Sequence, residues 1–195
     1  MKNIVVFASG SGSNFQSIID AISSGNLDAI ITGLITDRDG IKALDRARFH
    51  NIPYSILQPR NFKSSDEYET ELSEVLESYH ANILVLAGYL KKIPDLIIDT
   101  YRDRILNIHP SLLPKYGGKG FYGIKVHDAV INNKETESGC TVHIVNEVYD
   151  DGPILGQTTV PVLDNDTSAD LAKRILVEEH KLYPQVISEY LKTLS

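Results

Sequence analysis

The chain has 195 residues, 42% hydrophobic and 23% charged, with no repeats or low-complexity segment, a balance that suits one globular domain or at most a large domain with a small extension. Its net charge of -7 excludes a nucleic-acid-coating protein, because neutralising a phosphate backbone needs a basic surface, although local lysines can still build a cleft for a small anion. A lone cysteine, Cys140, rules out an internal disulfide and a cysteine-rich zinc site. No signal-peptide pattern follows Met1 and no apolar run approaches the roughly 20 residues of a membrane span, so the chain reads as soluble and cytoplasmic.

The first half alternates strand and helix patterns. Ile4 to Ala8 is a short apolar run, as in a parallel strand buried on both faces. Phe15, Ile18, Ile19 and Ile22 then form a helical stripe. Ala29 to Thr36 predicts a strand, Ile41 to His50 a helix, and Tyr54 to Leu57 a short strand. Ser64 and Glu67 predict a capping box for a helix with Tyr68, Leu72, Val75, Leu76 and Tyr79 on one face. Ile83 to Leu86 is a buried strand, Pro94 to Thr100 a helix, and the run from Arg104 a strand ending in Asn107 and His109. The alternation predicts an α/β fold, a doubly wound and mostly parallel sheet with right-handed crossovers.

The second half changes character. Residues 115–123 are glycine-rich and read as a long mobile loop, followed by a helix around His127 to Asn132. Thr141 to Val145 and Leu155 to Val162 predict an antiparallel pair at the sheet edge, joined by the Asp150-Asp151-Gly152-Pro153 turn. Thr167 and Asp170 predict a capping box for a C-terminal helix to about Leu182, with Pro184 bending the chain beyond it. Residues 1–195 are read as a single domain of two halves, 1–100 and 101–195.

Between the first strand and helix lies Ser9-Gly10-Ser11-Gly12-Ser13-Asn14. Glycines there let backbone N–H groups approach an anion, and the helix N-terminus favours negative charge. Phe15 stands where a dinucleotide fingerprint would carry its third glycine, so the loop fits one phosphate better than a dinucleotide. A tight turn with no ligand is the alternative.

Asn107 and His109 are two apart at the carboxyl end of a strand, so their side chains share a face, and Pro110 stops the strand beyond them. Ligands in α/β sheets bind outside those ends. Among six histidines, only His109 has this placement and an amide partner. Thr141 and His143 share one face of a later strand, fitting neighbours of a site or a core or rim role. Asp150 is open to two readings, turn chemistry or a carboxylate reaching His109. Glu179 interrupts the apolar stripe of Leu171, Ile175 and Leu182, a costly position unless it is paired, ligand-bound or snorkelling.

These motifs, in this order, resemble the phosphoribosylglycinamide formyltransferases, the folate-dependent transformylases of purine biosynthesis. The resemblance rests on the segment Asn107-Ile108-His109-Pro110-Ser111-Leu112-Leu113-Pro114 with Asp150-x-Gly152-Pro153 downstream, the glycine loop, Leu86-Ala87-Gly88-Tyr89, and Glu179-His180. It covers Lys2 to about Tyr190. It implies transfer of a formyl group from 10-formyltetrahydrofolate, as co-substrate, to the amine of 5'-phosphoribosylglycinamide. It places the family's catalytic residues on Asn107, His109 and Asp150, and the substrate-binding residues on Gly12, Ser13, Asn14, Phe15 and Glu179. The folate-binding residues fall on Leu90, Lys91, Lys92, Ile93 and Asn107, and on Asn146, Glu147, Val148 and Tyr149. The chain departs from the pattern at Ser65, where relatives often carry arginine, with Lys63 and Lys91 as nearby cations.

The expected mechanism is direct attack of the amine on the formyl carbon, with Asn107 and a protonated His109 donating to the oxyanion and Asp150 holding the histidine charged. No metal is implied, and small molecules are the expected partners of a monomer or homodimer. A methionyl-tRNA formyltransferase would be expected to add a C-terminal domain, and a formyltetrahydrofolate hydrolase an N-terminal one. A nicotinamide oxidoreductase is disfavoured by Phe15, and a non-catalytic phosphate-sugar binding module by the Asn107/His109/Asp150 set.

Overall fold

A computed structural model describes residues 1–194. Seven strands form a sheet in the order β3-β2-β1-β4-β5-β6-β7, and by backbone contacts the chain divides into two compact units, Met1–Leu106 and the remainder from Asn107.

The first unit is built from β1 (Lys2–Phe7), α1 (Ser13–Ser23), β2 (Ala29–Thr36), α2 (Lys42–Phe49), β3 (Tyr54–Ile56), α3 (Ser65–Ser78), β4 (Ile83–Leu86), α4 (Asp95–Thr100) and the start of β5 (Ile105–His109). A single 3-10 turn at Pro59–Asn61, which the sequence pattern does not predict, follows β3. β1 pairs in parallel with both β2 and β4, and β2 with β3. Ile4 through Ala8 are fully buried, as the uninterrupted apolar run predicts. From β1 the chain moves to one side through β2 and β3, then crosses back to β4 on the other side of β1, which makes the carboxyl end of β1 a topological switch point.

The predicted capping box at α3 is only half formed. Ser64 Oγ accepts from Glu67 N at 3.1 Å, but Glu67 Oε2 accepts from Lys63 N, one residue before the cap. The carboxylate still satisfies a backbone donor near the helix start, so the capping purpose is served by a shifted partner.

The second unit holds α5 (Ile124–Asn132), β6 (Glu137–Ile144), β7 (Ile154–Pro161) and α6 (Ser168–Leu191). β6 and β7 are antiparallel, with the register breaking between Val142 and His143. Gly152 is required at the connecting turn, because a Cβ there would lie 1.7 Å from the Ile144 carbonyl oxygen. Thr167 and Asp170 form a complete capping box.

The expected end of the last helix near Leu182 is corrected: α6 runs through Pro184 to Leu191. Proline forfeits one helical hydrogen bond and crowds the preceding turn. Tyr183, Val186, Ile187 and Leu191 are all buried around and beyond that point, and α6 packs on β6, β7 and α5. Apolar burial across two further turns offsets the proline.

Candidate active site

In the first unit, the loop after β1 is fastened from α2. Ala43 N donates to Gly10 O at 3.2 Å, and Arg46 Nε donates to Ser11 O at 2.9 Å. Gly12 has φ +68°, and a Cβ on it would come within 2.8 Å of Ala43 Cβ, so both conformation and space demand glycine. Gly12 is also the N-cap of α1 and supplies no side-chain cap, which leaves the first-turn N–H groups available to an anion. Ser13 is half-buried and Asn14 is buried at this helix start. The Phe15 side chain is fully buried in the core, so only its backbone can face a ligand.

The 90–93 segment follows β4 and also belongs to this unit. Leu90 and Lys91 are exposed, whereas Ile93 is buried. Lys92 Nζ pairs with Asp95 at 2.8 Å, so part of its charge is committed locally.

The second unit brings together a cluster that sequence spacing only partly joins. Asn107 and His109 lie two apart on β5, His143 on β6, and Asp150 on the turn before β7. Asn107 Nδ2 lies 3.0 Å from His143 Nε2. His143 Nδ1 lies 2.9 Å from the Ile144 carbonyl, which can only accept, so Nδ1 carries the proton and Nε2 accepts from Asn107. By the same reasoning His109 Nε2 donates to the Tyr116 carbonyl, at 2.8 Å. Nδ1 of His109 lies 3.6 Å from Asp150 Oδ2, and His143 Nε2 lies 3.6 Å from Asp150 Oδ1, ion-pair range but beyond a direct hydrogen bond. Asp150 itself has φ +56° and accepts from Gly118 N at 2.9 Å.

Of the two readings of Asp150, the geometry therefore favours the carboxylate that faces His109. Burial pushes its carboxyl group up, but polar contact with His143, the charge of His109 and the Gly118 N–H outweigh that and hold it below the ordinary value. The expectation that Asp150 keeps His109 charged holds only in direction. Burial pulls the His109 pKa down, Asp150 and the Tyr116 carbonyl raise it, and the balance lies below the ordinary histidine value.

Thr141 is more central than a rim position. Its hydroxyl donates to Ser111 O at 2.6 Å and accepts from Leu113 N at 3.0 Å and from Gln157 Nε2 at 2.8 Å. It thus ties the turn after His109 to both β6 and β7. Sequence spacing missed Gln157, Ser111 and the backbone groups of Tyr116 and Gly118; the glycine-rich composition of 115–123 was the only signal for the last of these.

Glu179 is buried on the inward face of α6, as its place in the apolar stripe predicts. Its charge adds to burial in raising the Cys140 thiol to about 12, so Cys140 is an inert core residue. Asn146 Oδ1 accepts from Val148 N at 3.0 Å and shapes the 146–149 turn, where Glu147, Val148 and Tyr149 are exposed. Among the described residues, no group of three His, Cys, Asp or Glu is arranged to hold a metal ion, and no helix is long and apolar enough to cross a membrane.

Known proteins share this fold and much of its sequence. The chain is 46% identical over 187 residues to a chloroplastic phosphoribosylglycinamide formyltransferase of Arabidopsis thaliana, with 95% of this chain and 64% of the plant protein covered. Against the phosphoribosylglycinamide formyltransferase of Escherichia coli, identity is 37%, covering 95% of this chain and 85% of that protein. The chain therefore spans less than two thirds of the plant relative's length but most of the bacterial one. The crystal structure of a glycinamide ribonucleotide transformylase from Symbiobacterium toebii superposes with a TM-score of 0.93 at 36% identity, covering 99% of this chain and 89% of that one. Residues 2–187 match the formyl transferase family. With matching motifs, topology and sequence over nearly its full length, the chain belongs to the formyl transferase family.

Proposed function

We propose that the chain transfers the formyl group of 10-formyltetrahydrofolate to the amine of 5'-phosphoribosylglycinamide, yielding the N-formyl product and tetrahydrofolate in purine biosynthesis. The observation that carries this reading is the convergence of Asn107, His109 and Asp150 in a family whose relatives bear that name.

In this reading the amine attacks the formyl carbon directly, and a tetrahedral intermediate carries negative charge on the former carbonyl oxygen. Asn107 is half-buried, and only one of its two amide protons is directed at His143, so the other serves the oxyanion. Such a donor typically contributes on the order of 3–4 kcal/mol to the transition state. His109 is the second donor. Its Nε2 proton is engaged by the Tyr116 carbonyl, so the intermediate must compete for it with the glycine-rich loop.

Proton movement uses the His109–Asp150 pair. The attacking nitrogen loses a proton as the folate nitrogen regains one, and His109, whose imidazolium burial destabilises, accepts the proton and passes it on. Asp150 stays ionised and stabilises the transient imidazolium.

The Gly12–Ser13–Asn14 helix start takes the substrate phosphate, and Glu179 contacts the glycinamide end. Leu90 to Ile93 and Asn146 to Tyr149 take the folate. Support comes from the uncapped N–H groups at Gly12 and the exposed edges of both segments.

A direct test mixes the full chain with both substrates and follows deformylation of the folate, with mass spectrometry of the ribonucleotide. A gain of one formyl group on the ribonucleotide is expected. Deformylation without a formylated product would instead make the chain a hydrolase.

A further inference from the structure

We propose that Ser9 is a positioning residue that couples the phosphate loop to the 90–93 segment, so that binding of the phosphoribosyl substrate tightens binding of the folate and the reverse. The proposal rests on the proposed function, in which these two segments take the two substrates.

Ser9 sits at the carboxyl end of β1, immediately before the Gly10–Gly12 loop, and is only 3% exposed. Three contacts leave it. Its backbone N–H donates to Gly88 O at 3.1 Å, and its hydroxyl accepts from Leu90 N at 3.0 Å. The hydroxyl also faces the Asp37 carboxylate at the end of β2 and helps to hold that carboxyl group below its ordinary value. Ser9 therefore holds both ends of the 88–90 turn, Gly88 through its backbone and Leu90 through its hydroxyl, at the point where the phosphate loop opens.

Asp37 is buried beside Ser9, with its Oδ2 3.1 Å from Arg38. The turn's own side chain is equally constrained. Tyr89 packs edge-on against Phe7 of β1, with ring centroids 5.2 Å apart, and its hydroxyl lies 3.4 Å from that of Tyr68. On the other side of Ser9, the Gly10 and Ser11 carbonyls are held by Ala43 and Arg46. The two ligand segments are thus joined through one residue without a flexible link between them.

Ordering the loop around a phosphate removes freedom from Ser9, and through it from Leu90, so a folate arriving second has less ordering left to do. Coupling between sites is reciprocal and commonly amounts to about 5-fold or more in affinity. The unreactive pair of tetrahydrofolate and 5'-phosphoribosylglycinamide measures it, because no formyl group is present to transfer.

The experiment is calorimetric titration of tetrahydrofolate into the full chain with and without saturating 5'-phosphoribosylglycinamide. Wild type is expected to show at least about 5-fold tighter folate binding in the presence of the ribonucleotide. Ser9→Ala, with thermal unfolding and circular dichroism confirming the fold, is expected to bring that ratio to within about 2-fold of one while leaving separate affinities nearly intact. Ser9→Thr, which restores the hydroxyl, is expected to recover it. A wild-type ratio of one, or a wild-type-like ratio in folded Ser9→Ala, overturns the proposal. Should Ser9→Ala fail to fold, Asp37→Asn removes the anionic acceptor and is read by the same ratio. Failure of the wild-type chain to bind tetrahydrofolate at all would overturn the folate reading itself, a result distinct from a ratio of one.

Discussion

His109 and Asp150 face each other across 3.6 Å, from Nδ1 to Oδ2, while the opposite ring nitrogen of His109 is held by the Tyr116 carbonyl. One edge of the ring meets an anion and the other a fixed acceptor, so both favour the imidazolium; burial opposes them and prevails. Burial draws the ring toward the neutral form while Asp150 and the Tyr116 carbonyl draw it toward the imidazolium, a balance that suits a group that must take a proton and give it back.

Asp150→Asn removes the main charge that raises the His109 pKa. The imidazole titration followed by NMR should move to lower pH, and turnover should fall by roughly 100-fold or more, the range of a lost acid–base partner. An unmoved titration would remove Asp150 from the proton pathway.

Asn107→Ala and His109→Ala should each lower kcat by about 100- to 1,000-fold with little change in KM, because the lost donors act on charge that develops in the transition state. Steady-state kinetics in both substrates check this. A change confined to KM would mean that the two groups bind substrate and do not act on the intermediate.

Gly152→Ala places a methyl group at 1.7 Å from the Ile144 carbonyl oxygen, which neither partner can absorb without moving backbone. The turn carrying Asp150 should distort, with a loss of about 2–4 kcal/mol in urea unfolding and a parallel loss of activity. Near-wild-type stability would show that the turn relaxes freely.

Thr141→Val keeps the volume of the side chain but leaves the Ser111 carbonyl, the Leu113 N–H and the Gln157 amide without their shared partner. Denaturant unfolding should show a loss of about 2–3 kcal/mol, as expected for buried polar groups left unsatisfied.

His127 is buried in α5, its Nδ1 has no hydrogen-bond partner among the described residues, and burial holds its pKa below 6.5. The unfolded chain therefore takes up this proton first as pH falls through about 6.5, and stability declines below that point until the folded-state pKa is passed. The decline is up to about 1.4 kcal/mol per pH unit for each such histidine. His127→Leu should flatten the urea midpoint between about pH 6.5 and 5.5; an unchanged slope would assign it to other groups.

Local signals account for most of what the sequence determined. Apolar runs such as Ile4–Ala8 and Ile83–Leu86 fix buried parallel strands because every side chain must leave water, whichever face it occupies. The Thr167–Asp170 box fixes a helix start because both groups lie within one turn. Asn107 and His109 were legible as a pair because a strand places residues two apart on one face, and Pro110 ends it there.

Tertiary structure decided the contacts between residues far apart in the chain. Nothing local to Asp150 distinguishes a turn carboxylate from one facing His109; the register of β6 and β7 settles that. The passage of α6 through Pro184 results from the burial of Val186, Ile187 and Leu191, which outweighs the local cost of proline. The protonation balance of His109 likewise arises from burial by residues no motif contains. Desolvation depends on everything packed around a group, so spacing could name the histidine and its partner but not which protonation state prevails.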